Sequence, residues 1–122
     1  MVIDHLGFNV SNFAKSKVFY TQALAPLGVR VLMSDDRSAM IGRTGEGAFW
    51  FGSYGTPATP VHIAFAAKTR EQVREFHAAA LAAGGKDNGA PGLRPNYHPN
   101  YYGAFVIDHD GHNIEAVCHA PE

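Results

Sequence analysis

The chain has 122 residues, 46% apolar and 17% charged, the composition of one ordinary globular domain. Ten Lys and Arg against 11 Asp and Glu leave a formal charge of −1, which excludes the basic stripe that phosphate backbones require. Seven histidines against one cysteine exclude an internal disulfide and a cysteine zinc cluster, so imidazole and carboxylate must hold any metal.

In chain order, Val2 to Val10 alternates as a strand, with Leu6, Phe8 and Val10 on one face and His5, Gly7 and Asn9 on the other. A helix is predicted from Asn12 to Leu24, capped by Ser11 or Asn12, with Phe13, Val18, Phe19 and Leu24 as its apolar positions and Pro26 and Gly28 as its stop. Strands follow over Arg30 to Met33, Ser38 to Gly42 and Ala48 to Ser53. Tyr54 to Pro60, rich in Gly, Thr and Pro, reads as a linker.

The pattern then starts again. Val61 to Ala67 alternates as a strand, and Thr69 with Gln72 fits a capping box. The second helix carries Val73, Phe76, Ala80 and Leu81 and stops at Gly84-Gly85. A short strand near Lys86, then Tyr101 to Ile107 and Asn113 to His119, complete the chain, with Asp108-His109-Asp110-Gly111 as a hairpin turn. At an offset of 57 residues His5 falls on His62, Phe8 on Phe65, Phe19 on Phe76, Leu24 on Leu81 and Gly28 on Gly85, without a gap. The reading is an internal repeat of two βαβββ modules, about 1–53 and 61–119, that pack across an approximate twofold.

That twofold places His5 and His62 at matching positions. In the closing strands, at an offset of 65, Trp50 meets Glu115. Glu115 sits between Ile114 and Ala116, where a carboxylate needs a cation or donors beside it. Two imidazoles and one carboxylate are the donor set of a 2-His-1-carboxylate metal site, suited to iron, manganese, nickel or zinc. The irregular stretch 90–100 should stand over the cavity mouth. There Tyr97, His98 and Tyr101 are candidates for proton transfer, Tyr102 for a substrate oxygen and Arg94 for a carboxylate. Trp50 is expected as an apolar wall of the cavity. His77 and His109 read as surface residues, His112 as a turn or site-edge residue, His119 as a strand-end residue and Cys118 as a buried thiol.

These residues carry a family resemblance. The paired modules, with His-Leu-Gly-Phe at 5–8, His-Ile-Ala-Phe at 62–65 and Asp-His-Asp-Gly-His-Asn-Ile-Glu at 108–115, resemble the vicinal oxygen chelate superfamily of glyoxalases, fosfomycin- and bleomycin-resistance proteins and extradiol dioxygenases. The resemblance implies an α+β fold in which tandem βαβββ modules form a curled mixed sheet around a metal-binding cavity. It implies a divalent metal on His5, His62 and Glu115, and a homodimer whose modules pair within one chain or are exchanged between two. Trp50 stands where glyoxalase I enzymes carry a fourth ligand, usually Glu. No Lys or Arg follows Glu115, and Phe105 stands near a Tyr of the fosfomycin thiol transferases, so Phe105 is counted with the substrate-binding candidates. The expected function is a metal-dependent enzyme acting on a substrate that offers two oxygens to the metal. The alternative is a non-catalytic small-molecule-binding or antibiotic-resistance protein of the same fold. No apolar run reaches ~18 residues and the N-terminus shows no leader pattern, so a cytoplasmic protein without nucleic-acid or membrane partners is expected.

Overall fold

The computed structural model describes residues 4–57 and 60–122. Module one contains β1 (His5–Asn9), α1 (Phe13–Leu24), β2 (Arg30–Ser34), β3 (Ser38–Gly42) and β4 (Ala48–Gly52). Module two contains β5 (His62–Ala66), α2 (Arg70–Ala82), β6 (Lys86–Leu93), β7 (Tyr102–Ile107) and β8 (Asn113–Cys118). Each module builds a four-stranded mixed sheet, in the orders β1-β4-β3-β2 and β5-β8-β7-β6. The sheets curl without closing. The first and last strands of each module run parallel. Of the expected first strand, Val2 and Ile3 lie outside the described residues, as do Ala58 and Thr59 of the linker.

The repeat holds at the level of register. Gly7 pairs with Trp50 in module one, and Ala64 pairs with Glu115 in module two. The 57-residue and 65-residue offsets therefore describe one architecture, and Trp50 and Glu115 occupy equivalent places.

Local signals explain both helices. The Asn12 side chain caps α1 by accepting from Lys15 N at 3.1 Å. Thr69 caps α2 by accepting from Gln72 N at 3.1 Å, while Gln72 reaches one residue beyond a standard capping box to accept from Lys68 N at 2.8 Å. The buried stripe of α1 is Ser16, Phe19, Tyr20, Ala23 and Leu24, a spacing of three and four. Val18 lies off that stripe and is half-exposed, contrary to expectation. Leu81 is displaced in the same way, one residue past Ala80 on the stripe Val73, Phe76, Ala80. The short strand expected near Lys86 runs to Leu93, its pairing with β7 interrupted by register shifts at Gly89. A bulge breaks the alternation that makes a strand visible in a sequence.

The helices cover one face of the sheets. Phe8, Phe49 and Phe51 meet Tyr20 of α1 with ring centroids 5.0–6.0 Å apart. Phe49 meets Phe65 of the other module at 5.1 Å. Burying each such ring contributes on the order of 1.5–3 kcal/mol.

The turn between β7 and β8 fastens the modules together. Asp108 Oδ1 accepts from the backbone N–H groups of Asp110 (2.9 Å) and His112 (2.8 Å), and Oδ2 accepts from the Tyr20 hydroxyl. Asp110 accepts from Ser11 N at 3.2 Å, just before α1, where the helix dipole favours an anion. His112 is buried, not at the site edge. Its Nδ1 accepts from Val61 N at 3.0 Å, and its ring lies edge-on to Phe8 at 4.8 Å. His109 is exposed and lies edge-on to Phe19 at 5.8 Å. Burial beside the Asp108 carboxylate pushes the Tyr20 phenol well above its ordinary pKa, so it stays a donor. Among the described residues no helix is long and apolar enough to cross a membrane.

Tyr20→Phe removes the hydroxyl donor from the buried Asp108. Unfolding in urea should show a loss of about 2 kcal/mol, and the double variant with Asp108→Ala should lose less than the sum of the single changes.

Candidate functional site

Strand alternation along β8 sends Ile114, Ala116 and Cys118 into the core, and Asn113, Glu115 and Val117 to the other face. Glu115 is only 1% exposed, so its carboxylate needs partners, and it has two. Oε1 accepts from His62 Nε2 on the neighbouring strand β5 at 2.9 Å. Oε2 accepts from the hydroxyl of Tyr101, which enters from the loop just before β7. A Cβ on Gly103 would stand 3.1 Å from Oε2, so glycine there keeps room for the carboxylate and its donor. Burial first, and then the hydrogen bond to Glu115, push the Tyr101 phenol up to about 12. Tyr101 therefore holds its proton throughout the neutral range.

The pair forms part of a cavity of about 290 Å³ lined by His62, Tyr97, Tyr101, Phe105, Asn113 and Glu115. Phe105 and His62 stack with centroids 6.1 Å apart at 25°. The loop stands over the cavity as expected, although residues up to Leu93 belong to β6 and the irregular part is 94–101. It is closed on itself: Arg94 N donates to Tyr101 O at 2.7 Å, and Tyr101 N donates to His98 O at 3.1 Å. Tyr97 is 63% exposed and lies edge-on to Tyr101 at 5.1 Å. His98 turns the other way. Its Nδ1 accepts from Asn100 N at 3.0 Å, and its ring faces His119 at 5.7 Å.

Other candidates lie apart from this cavity. The Arg94 guanidinium donates to the carbonyls of Gly92 (2.9 Å) and Ala90 (2.8 Å) and lies over Phe105. Its fork braces the end of β6. The Tyr102 hydroxyl accepts from Arg74 Nη1 at 3.3 Å, and Arg70 and Arg74 lie over its ring, so Tyr102 faces α2. His77 is half-buried rather than a plain surface residue, and it pairs with Asp87 at 2.9 Å. Cys118 is buried, as expected.

His5 and Trp50 share the equivalent face of the other sheet. The Trp50 indole covers Gly7, where a Cβ would come within 2.0 Å of the ring, and it meets Tyr54 edge-on at 6.0 Å. Trp50 lines a groove of about 270 Å³ with Met33, Ser38 and Met40. The His5 side chain is 57% exposed and pairs with Asp4 at 2.7 Å. Among the described residues no three His, Cys, Asp or Glu side chains converge on one point. One chain thus brings His62 and Glu115 together and leaves His5 on the other sheet. Asn113 escaped the sequence reading, although strand alternation puts it on the Glu115 face and the parallel ladder sets it beside His62.

A family model described as the glyoxalase/bleomycin resistance protein/dioxygenase superfamily matches residues 2–116. The chain belongs to that superfamily. No curated protein matches it. A glyoxalase/bleomycin resistance protein from Albidiferax ferrireducens is similar over 98% of this chain and 100% of its own, with 30% identity and a TM-score of 0.85. Two further structures share the fold. One is a glyoxalase/bleomycin resistance protein/dioxygenase family enzyme from Burkholderia phytofirmans (16% identity, 96% of this chain and 98% of that one, TM-score 0.74). The other is TioX from a Micromonospora species (17% identity, 98% and 100%, TM-score 0.73).

Trp50 is the only tryptophan, so its fluorescence reports on this face alone. Gly7→Ala should displace the indole and shift its emission, while far-ultraviolet circular dichroism stays close to that of the wild type. Unchanged emission would show that the ring does not rest on Gly7.

Proposed function

We propose that the protein is a metal-dependent small-molecule enzyme whose substrate chelates a divalent ion through two oxygens. The ion is held by His62 and Glu115 of one chain and by His5 of a second copy, in a dimer that exchanges modules. One observation carries this reading: Glu115, almost wholly buried, faces His62 Nε2 at 2.9 Å on the wall of an open cavity. A nitrogen and a carboxylate oxygen that share one point at the edge of a cavity fit a divalent ion. Nitrogen and oxygen donors suit iron, manganese, nickel or zinc.

The third donor explains the dimer. His5 and His62 are equivalent by the repeat, yet within one chain His5 stands on the other sheet and is open to solvent. Among the described residues, strands β1 and β5 each leave one edge unpaired in the sheet order, and Leu6 on β1 is 41% exposed. A second copy that brings its β1 to this β5 would supply His5 and cover that edge, and would set Trp50 across the cavity as an apolar wall.

A bound divalent ion would act there as a Lewis acid toward the substrate oxygens. The chain's own residues do the rest. Tyr101 holds Glu115 in place through Oε2. Phe105 supports the substrate, and Tyr97 offers it a hydroxyl group from the loop. His98 lies at the outer side of that loop and braces it through Asn100 N.

Metal analysis should find one divalent ion per chain in the wild type, and none in His62→Ala or Glu115→Ala. Refolding His5→Ala and His62→Ala chains together should restore about a quarter of the sites, because half of the pairs are mixed and each mixed pair has one intact site. Wild-type metal content in His5→Ala would remove His5 from the site. Ligand binding that survives chelation would favour a binding protein over an enzyme.

A further inference from the structure

We infer that Asp4 is a positioning residue for the proposed metal site: its carboxylate holds the His5 imidazole with the proton on Nδ1, and so leaves Nε2 as the nitrogen that His5 offers to the ion. The inference deepens the reading of the site given above and rests on it, because His5 acts there only when a second copy brings it to His62 and Glu115.

Contact comes first. His5 Nδ1 lies 2.7 Å from Asp4 Oδ1. A carboxylate only accepts, so the hydrogen of this bond belongs to Nδ1. A neutral imidazole carries one N–H, and with that hydrogen on Nδ1 the free lone pair is on Nε2. That lone pair is what a metal ion needs. Adjacent residues within a strand point to opposite faces, so two neighbours inside β1 could not meet in this way. Asp4 reaches the ring because it lies in the bend just before the strand. Its backbone is tied there, since Ala48 N donates to Asp4 O at 3.3 Å.

Comparison of the modules comes second. His62, the equivalent of His5, turns its Nε2 toward Glu115 Oε1 at 2.9 Å. Both imidazoles thus have Nε2 as the nitrogen for the ion. What orients them differs. His62 meets the carboxylate of Glu115 on the neighbouring strand. In module one Trp50 stands at the place of Glu115, and an indole accepts no hydrogen bond. In module two Val61 stands at the place of Asp4, with its N–H given to His112 Nδ1. Each histidine therefore has one carboxylate partner, supplied from a different position. A carboxylate behind a metal-binding imidazole fixes its tautomer and ring orientation and raises its basicity.

Exposure comes third. The Asp4 side chain is 96% exposed, and an ion pair this open adds little to folding. Asp4 can therefore be changed without loss of the fold, and its effect is read at the metal.

The test measures the zinc affinity of the full-length protein by competition with a chromophoric chelator, in the wild type and in Asp4→Ala, Asp4→Asn and His5→Ala. Asp4→Ala should bind zinc about tenfold more weakly, the lower end of the range for losing such a partner. Asp4→Asn loses the charge but keeps an acceptor oxygen, so it should recover most of that loss. His5→Ala should bind more weakly than either. Nitrogen NMR of the zinc-free proteins reads the tautomer itself. The proton of neutral His5 should sit on Nδ1 in the wild type and in Asp4→Asn, and should shift toward Nε2 in Asp4→Ala. Wild-type affinity in Asp4→Ala, or His5 protonated at Nε2 in the wild type, overturns the inference. Asp4→Asn as weak as Asp4→Ala would reveal a plain charge effect, and Asp4→Ala as weak as His5→Ala would make Asp4 a ligand in its own right. Either result also overturns it and leaves the metal reading standing. If the wild type takes up no zinc, or His5→Ala binds it as the wild type does, that reading fails and the role of Asp4 falls with it.

Discussion

The Asp108 carboxylate holds the two modules in their relative position. One oxygen organises the turn through two backbone N–H groups, and the other takes the hydroxyl of Tyr20 from the opposite module. The desolvation that makes a buried carboxylate unfavourable also makes its hydrogen bonds strong once they are all present. The same turn sends Asp110 to the start of α1 and His112 to the residue before β5. Because Val61 immediately precedes His62, the turn that joins the modules also fixes where the imidazole of the site begins. The stretch 108–115 therefore has two tasks. Its first five residues clamp the halves together, and its last residue supplies the buried carboxylate of the cavity.

Much of this was legible in the sequence because a repeat is read as a whole. No single match between the halves carries weight, yet one register kept through a strand, a helix and a glycine stop defines two equivalent modules. Equivalence then predicts contacts far apart in the chain. The ladders Gly7–Trp50 and Ala64–Glu115 follow from it directly. The pairing of His62 with Glu115 was legible for the same reason, since the two lie on neighbouring parallel strands and face the same way.

What escaped the sequence depends on where a side chain is used. The apolar character of Val18 and Leu81 says nothing about which side of a helix meets the sheet, and that side is chosen by Phe19, Tyr20, Val73 and Phe76. Arg94 and Tyr102 look like ligand-binding residues because of their types. Their polar atoms are satisfied by the carbonyls of Ala90 and Gly92 and by Arg74, partners that only the bulged β6 and the adjacent helix bring near. His112 was hidden for the opposite reason. A histidine beside a turn suggests solvent, whereas this one is buried against Phe8 and fixed by the Val61 amide.

Trp50 and Glu115 hold equivalent positions in the two sheets, one an indole and the other a carboxylate. Their strand neighbours differ as well, Gly7 and Met40 beside Trp50 against Ala64 and Phe105 beside Glu115, so the two faces are not interchangeable. One face offers a broad apolar ring over a glycine, and the other offers an anion and its donors. The repeat gives a symmetric frame, and divergence at these equivalent positions gives it a polarity that distinguishes one sheet from the other.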